Sequence, residues 1–414
     1  MLNTPHPAME LYVSPEGNDA WSGRLPAPNP ARTDGPLKSI AGARDRLRVL
    51  TGRRLAKYGT PVTAAVPGPV SVWVRGGIYP TFEPIRFGPE DSFPATYAAY
   101  PGETPVIEGG VRITEWQETV VNGRRAWVAA LPEVAAGTWE FRQLFVNGRR
   151  APRPRWPKQG LFRMEHVPGL TLPAGWGEGG YTQFVAAEGD VQPFRNLSDV
   201  EVVYVHFWVG ERSPIARYDP ATRVVTMVRP SRAPLVGSHG SQLADYYLDN
   251  VFEALTEPGE WYLDRTAGKL YYLPKEGEDP ATTEVWAPKA LQLLALIGEP
   301  EKGRYVEFLR FQGLTFRHTD WRYPAADGAA IVGCSDGQHQ GPSRRHARGN
   351  RASAGQGESD IPGVITLEGA RFCAIEECTL RHLGWYGVEI GDACHGIRVV
   401  GNVISDLGAG GVMI

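Results

Sequence analysis

At 414 residues the chain is longer than one compact core holds, so two or three structural units are expected. Its net charge of −3 and the lack of any long basic run exclude a nucleic-acid-binding footprint. Glycine (49) and proline (35) are abundant while 42% of residues stay hydrophobic, the balance of a loop-rich β protein and not of a disordered chain or a helical bundle.

The opening stretch, MLNTPHPAMELYVSPEG, has no apolar run of signal-peptide length, and no later segment reaches membrane-spanning length. As written, the sequence predicts a chain without an export leader, cytoplasmic if this start is correct, and without a membrane partner. Residues 1–111 read as a cap and the first coils of a repeat. LYVSP (11–15) is a short strand, and a polar, turn-rich loop follows it. Ser39 then N-caps a helix with Ile40, Ala43, Leu47 and Leu50 on one face. Such a helix covers strand edges that a bare first coil exposes. VSVWVRGGIYP (70–80), ATYAAYPG (95–102) and PVIEGG (105–110) are strand-and-corner runs.

Across 112–290 the pattern changes to longer, alternating runs: VEVVYVHFWV (200–209), RVVTMVR (223–229), EWYLDRTAGKLYYLP (260–274) and EVWAP (284–288). These predict an inserted, mostly antiparallel β domain. Its GRRAPRPRWP segment, with Arg149, Arg150, Arg153, Arg155 and Trp156, is expected to seat that domain on the rest of the chain by arginine–aromatic stacking.

Residues 291–414 carry the most informative pattern. IEECTLRHLGWYGVEI (375–390) overlays VVGNVISDLGAGGVMI (399–414) at an offset of 24, matching His382 to Asp406, Gly384 to Gly408 and Val388 to Val412. FQGLTFRH (311–318) overlays 375–382 at an offset of 64, one period plus a 40-residue insertion. GVITLEGARF (363–372) also precedes GVEIGDACHG (387–396) by 24. A period in the low twenties, with short β-branched runs and glycine corners, predicts a parallel β-solenoid of three short strands per coil. Equivalent residues then stack in columns. The insertion at 333–362 is a long polar loop, in which Arg344, Arg345, His339 and His346 are candidates to grip an acidic glycan. Cys334, Cys373, Cys378 and Cys394 are too few for a disulfide framework, and neither they nor the histidines fit a metal-ligand spacing.

LYVSPEGNDAWSG, SIAGARDRLR, VRGGIYP, QLFVNGRRAPRPRWP, EPGEWYLDRTAGKLYYLP, HLGWYGVEI and NVISDLGAGGV together resemble glycoside hydrolase family 141. The resemblance covers nearly the whole chain. It implies a pectin lyase-like fold, a right-handed parallel β-helix with an N-terminal capping helix and an inserted antiparallel β domain. It also implies further coils beyond Ile414 and residence outside the cytoplasm, secreted or periplasmic. The implied activity is hydrolysis of O-glycosidic bonds in a polysaccharide or oligosaccharide, fucosidase-like or xylanase-like, by a monomer without a cofactor.

Glycoside hydrolysis needs two carboxyl groups, about 5–5.5 Å apart for retention or roughly 6.5–9.5 Å for inversion. Equivalent positions in adjacent coils lie one strand spacing apart, about 4.8 Å, so a column can supply such a pair. In the column of His318, His382 and Asp406, Asp406 is the expected catalytic carboxyl and His382 its coupled neighbour. His318, Asp320, Trp321, Trp385, Tyr386, Glu389 and Asp392 are expected to line a substrate cleft, with the indole and phenol as stacking faces. Glu368 falls one period before Asp392, an acidic column. A polysaccharide lyase acting on uronic-acid glycans and a non-catalytic glycan-binding module are the competing readings.

Overall fold

The computed structural model describes residues 9–52, 69–177, 179–323, 351–353 and 361–414. Among them the secondary structure is mostly β, with an α-helix at Ile40–Leu50, a single α-turn at Pro132–Ala135 and four short 3-10 turns. The chain divides into two compact units. The first comprises Met1–Val111, Pro288–Arg322 and Ile361–Ile414; the second comprises Arg112–Ala287 and Tyr323–Asp360. The sequence reading kept 291–414 whole, whereas this division gives 323–360 to the second unit. Its described residues bond there: Ala352 O accepts from Arg212 N, and Arg351 Nη1 donates to Ser231 O. Cys334, His339, Arg344, Arg345 and His346 lie outside the described residues.

In the first unit the chain visits three parallel sheets in rotation. One contains Met9–Val13, Val70–Val74, Ala95–Ala99, Leu309–Gln312, Ala374–Glu376 and Arg398–Val400. A second contains Gly77–Pro80, Pro105–Glu108, Thr315–Arg317, Thr379–Leu383 and Val403–Leu407. The third runs through Ile85–Phe87, Leu294–Ile297, Gly363–Glu368, Tyr386–Ile390 and Val412–Met413. Period-two alternation turns every second side chain inward. Leu11, Val72, Tyr97, Phe311 and Ile375 thus form one buried column. The rings of Tyr97 and Phe311 stack at 5.3 Å, with Phe87 edge-on to both.

The pairing offsets are those of the sequence repeat in two sheets: Arg310 pairs with Ala374 and Thr315 with Thr379, 64 apart, while Ile375 pairs with Val399 and Thr379 with Val403, 24 apart. The third sheet keeps 24 at Val388 and Val412 but departs from it one strand earlier. Ile365 pairs with Val388 and Leu367 with Ile390, an offset of 23. The 24-residue overlay of 363–372 on 387–396 is therefore one residue out of register there, and Glu368 and Asp392 do not share a rung. The offset returns to 24 at Arg371 and His395, so the later coil carries one extra residue at the corner between them.

Other signals of the repeat have identifiable physical causes. A Cβ added at Gly384 would sit 2.1 Å from Asp320 O, and one at Gly408 would sit 2.0 Å from Gly384 O. Only hydrogen fits where these backbones approach. Ser39 Oγ accepts from Gly42 N at 2.8 Å and caps the helix, which buries Ile40, Ala43 and Leu47 but leaves Leu50 38% exposed. Its last turn is tied down by Arg48, whose Nε and Nη2 donate to the two oxygens of Asp91. Cys373 and Cys378 are buried thiols, pushed up to about 11 by desolvation.

The second unit is antiparallel. One sheet pairs Gln117–Val121, Arg124–Ala130, Lys269–Tyr272 and Trp261–Asp264. Another is built on Glu201–His206, Val209–Asp219, Val224–Met227 and Asp245–Asp249. Its core includes Phe184, Val202, Tyr204, Ile215, Val225, Tyr246 and Leu248. The run 200–209 belongs to an antiparallel hairpin, as the alternating pattern suggested. It folds back at Phe207 and Trp208, with His206 paired to Val209 and Phe207 in the left-handed region at φ 48°.

Candidate active site

Four side chains of the first unit stand in one line along the second parallel sheet. Glu108, Arg317, Arg381 and Ser405 occupy successive rungs, and His318, His382 and Asp406 each follow their rung by one residue. All three of those residues turn the corner with left-handed backbone, at φ 58°, 59° and 52°. A non-glycine residue costs roughly 1–2 kcal/mol in that conformation. The corner itself imposes it, since Phe308 and Phe372 hold a second such corner at φ 64° and 53°. There the rings of Phe308 and Phe372 stack on each other at 5.6 Å; what is particular to the His–His–Asp corner is that its neighbouring side chains are ionisable.

Asp406 Oδ2 lies 2.7 Å from His382 Nδ1. The His382 ring stacks on that of His318 with centroids 5.4 Å apart and planes 8° from parallel. His318 Nδ1 lies 2.8 Å from Glu108 Oε1, whose other oxygen accepts from Arg317 Nε at 2.7 Å. Glu108 also accepts from Gly110 N. With ionised carboxylates, both imidazoles carry their proton on Nδ1, which sets the tautomer at each ring. Burial pushes the His318 pKa down against the pull of Glu108, with Arg317 and His382 adding to the depression. The ring is thus neutral at neutral pH, and two stacked imidazolium ions are avoided. Exposure grades along the line: Glu108 and His318 are buried, His382 is 9% exposed by side chain, and the Asp406 side chain is 37% exposed. Asp406 is the most exposed member of the line.

Glu108 does not complete a catalytic pair with it. Three rungs separate them, roughly 14 Å at about 4.8 Å per rung, beyond both carboxyl spacings of glycoside hydrolysis. Glu108 and Arg317 form the line's inner anchor, and reasoning from the sequence missed them. Glu108 lies 209 positions from Arg317, across the whole insertion, so no local pattern joins them. The only available signal was the strand register of PVIEGG against GLTFRH.

The remaining predicted cleft residues are dispersed. Glu389 is 2% exposed and its Oε2 accepts from Gly363 N at 2.9 Å, so it bonds an adjacent strand instead of facing a cleft. Trp385 and Tyr386 are 2% and 8% exposed, and the Tyr386 ring lies where a Cβ on Gly410 would sit. Neither is an open stacking face. Asp320 is buried, Trp321 is half-buried and Asp392 is exposed. Among the described residues, no three His, Cys, Asp or Glu side chains converge as a metal site would require.

The second unit holds a denser charge cluster. Glu201, 1% exposed, accepts from Arg142 at 2.5 Å, from Arg212 at 2.6 Å, from Tyr323 Oη at 2.9 Å and from Arg153. Asp249 accepts from Arg153 and Arg212, each at 2.6 Å. Burial alone would raise both acids; the Arg153 and Arg212 guanidinium groups, joined by Arg142 at Glu201, outweigh it and hold both below the usual carboxylate range. The adjoining cavity, lined in part by Glu140, Arg142, Arg153 and Arg265, measures about 40 Å³, room for water but not for a sugar ring. Arg155 lies over the Tyr247 ring and Arg150 over that of Phe145. These two ring contacts of the GRRAPRPRWP segment are made within the second unit.

Residues 197–275 match the GH141 insertion domain. A solved structure described as "Glycoside hydrolase" is similar over 98% of this chain and 67% of its own, with a TM-score of 0.73 and 25% identity. A second, "The complex structure of XylC with xylose", aligns over 98% of this chain and 63% of its own at 12% identity; its TM-score of 0.31 carries no argument. No curated protein matches the chain.

Proposed function

We propose, from the premise that this chain is a glycoside hydrolase family 141-like protein, that it is a glycoside hydrolase acting on a polysaccharide or oligosaccharide. One observation carries the class above the others: the match of residues 197–275 to an insertion domain named for that family. The parallel strands visited in rotation support a finer reading of the first unit as coils of a right-handed parallel β-helix, interrupted by an inserted antiparallel domain.

Within that reading Asp406 is the catalytic carboxyl. The Nδ1–H of His382 donates to Asp406 Oδ2 and orients it, and the Asp406 side chain keeps 37% of its surface exposed. Neutral His318 backs the His382 ring and holds its plane, and the Glu108–Arg317 pair anchors His318 in turn. Hydrolysis also requires a second carboxyl group, for which Glu108 is too distant. Sugar and linkage, fucosidic or xylosidic, follow only from the resemblance.

The test is product release from fucosylated oligosaccharides and from xylan by the native chain and by Asp406→Asn. The native chain is expected to release reducing ends and the variant to lose roughly 10²–10⁴-fold in rate, the range of a single acid or base. Unsaturated products absorbing in the ultraviolet would replace the hydrolase with a lyase. Full activity in Asp406→Asn would remove the residue from the mechanism.

A further inference from the structure

The second unit carries an exposed aromatic group that the hydrolytic reading does not use. Where the 200–209 run folds back, Phe207 occupies a tight-turn position at φ 48°. Glycine or asparagine is the inexpensive residue there. Next to it Trp208 is 64% exposed, and Trp176, from a separate segment, is 46% exposed. The two indoles stack with centroids 4.7 Å apart and planes 22° from parallel, and Phe207 stands edge-on to Trp176 at 5.4 Å. Single exposed hydrophobic residues are ordinary, but three aromatics gathered at one strained tip are not.

The tip is held from beneath. His206 Nδ1 lies 3.0 Å from Pro234 O and its Nε2 2.6 Å from Glu211 Oε1, and Arg232 N donates to Glu211. Both side chains of the His206–Glu211 pair are fully buried. Ser238 Oγ donates to Phe207 O, and Ala174 N donates to Gly240 O, joining the segments that carry the aromatics. The space beside the rings is open. A Cβ added at Gly175 or Gly210 would meet nothing within 4 Å, and one at Gly177 would meet only Gly175 O, at 4.0 Å. The segments meeting there, 174–177, 205–210 and 237–240, contain no Lys, Arg, Asp or Glu.

We propose that Trp176, Phe207 and Trp208 form a stacking platform for an uncharged pyranose unit of a glycan chain, a binding site carried wholly by the second unit. A pyranose ring presents a face of C–H groups that matches the electron-rich face of an indole. The lack of Lys and Arg in these three segments favours a neutral sugar over a uronate or sulfate. The proposal deepens the reading of the chain as carbohydrate-active and rests on it for ligand class.

Affinity electrophoresis of the full chain through gels containing arabinoxylan, xyloglucan, galactomannan or polygalacturonate tests it. At least one neutral polysaccharide is expected to retard the native chain. Trp208→Ala and Trp176→Ala should each weaken that retardation about tenfold, the size of one aromatic contact. Trp208→Phe should keep part of it, and the melting temperature of Trp208→Ala should be unchanged. The platform is overturned by no retardation in any neutral gel, by equal retardation of both alanine variants, or by retardation in polygalacturonate alone. A change in sedimentation on Trp208→Ala would instead identify a second copy as the occupant. Asp406→Asn separates the two readings, because it should bind as the native chain does while losing hydrolysis. Tryptophan-dependent binding without any hydrolysis would sink the active-site reading alone; hydrolysis without such binding would sink the platform alone.

Discussion

The two units handle buried charge in opposite ways. In the second, Glu201 and Asp249 are enclosed by Arg142, Arg153, Arg212 and Tyr323, so their oxygens are already engaged by donors. In the first, charge is laid along a line from buried Glu108 to an Asp406 side chain that is 37% exposed. The larger cluster, with the stronger displacement of carboxylate pKa, is the poorer candidate for chemistry. A group whose lone pairs are all committed has nothing left to offer a substrate, whereas a carboxylate that keeps a third of its surface in solvent can be reached by one.

Replacing one acid from each unit breaks this comparison most directly. Asp406→Asn is expected to remove activity while shifting stability by less than about 1 kcal/mol, since the site is partly solvated. Glu201→Gln should do the reverse in stability. It leaves three guanidinium groups short of a buried counter-charge and should cost about 3–5 kcal/mol. Urea unfolding followed alongside the glycan assay reads both. Equal stability losses for the two variants would erase the distinction drawn here.

Acid sharpens the contrast by a smaller amount. Burial lowers His318 below its ordinary value of 6.5. Below pH 6.5 the unfolded chain takes up a proton that the folded state resists, so stability falls until the pH passes the folded value. Above pH 6.5 neither state is charged and the contribution is constant. Glu201 is depressed below 4.5, so its contribution is complete above that pH and is lost only as pH drops through the folded value. Urea midpoints measured at pH 7.5 and 5.5 should fall for the native chain and fall less for His318→Gln. Over that interval the slope should be unchanged by Glu201→Gln. The smallest effect belongs to Arg163→Ala at the exposed pair with Asp245, expected to leave the urea midpoint almost unmoved and to vanish in high salt.

The repeat was legible because a parallel stack imposes identical geometry on every coil. Short branched strands, corner residues and close-packed glycines such as Gly384 and Gly408 had to recur at the same spacing. That spacing alone brought His318, His382 and Asp406 into one line. It failed at Glu368 and Asp392, where the strands pair at an offset of 23 and an added corner residue restores 24 only afterwards, without leaving a compositional trace. It failed also at Trp385, Tyr386 and Glu389, because periodicity names a column but does not say whether the column faces solvent. In the second unit there was no repeat to read, and alternation did not place the hairpin's turn at Phe207 because a bulky aromatic occupies a position usually given to glycine.

The sequence by itself determined the β character of the chain and most of the vertical partners within the repeat, which depend on local period and offset. Tertiary structure decided which carboxylates are saturated and which are open, and it joined Glu108 to Arg317 and Trp176 to Trp208. Those outcomes depend on which distant segments a folded backbone brings within a few ångströms of one another, a quantity that no local spacing encodes.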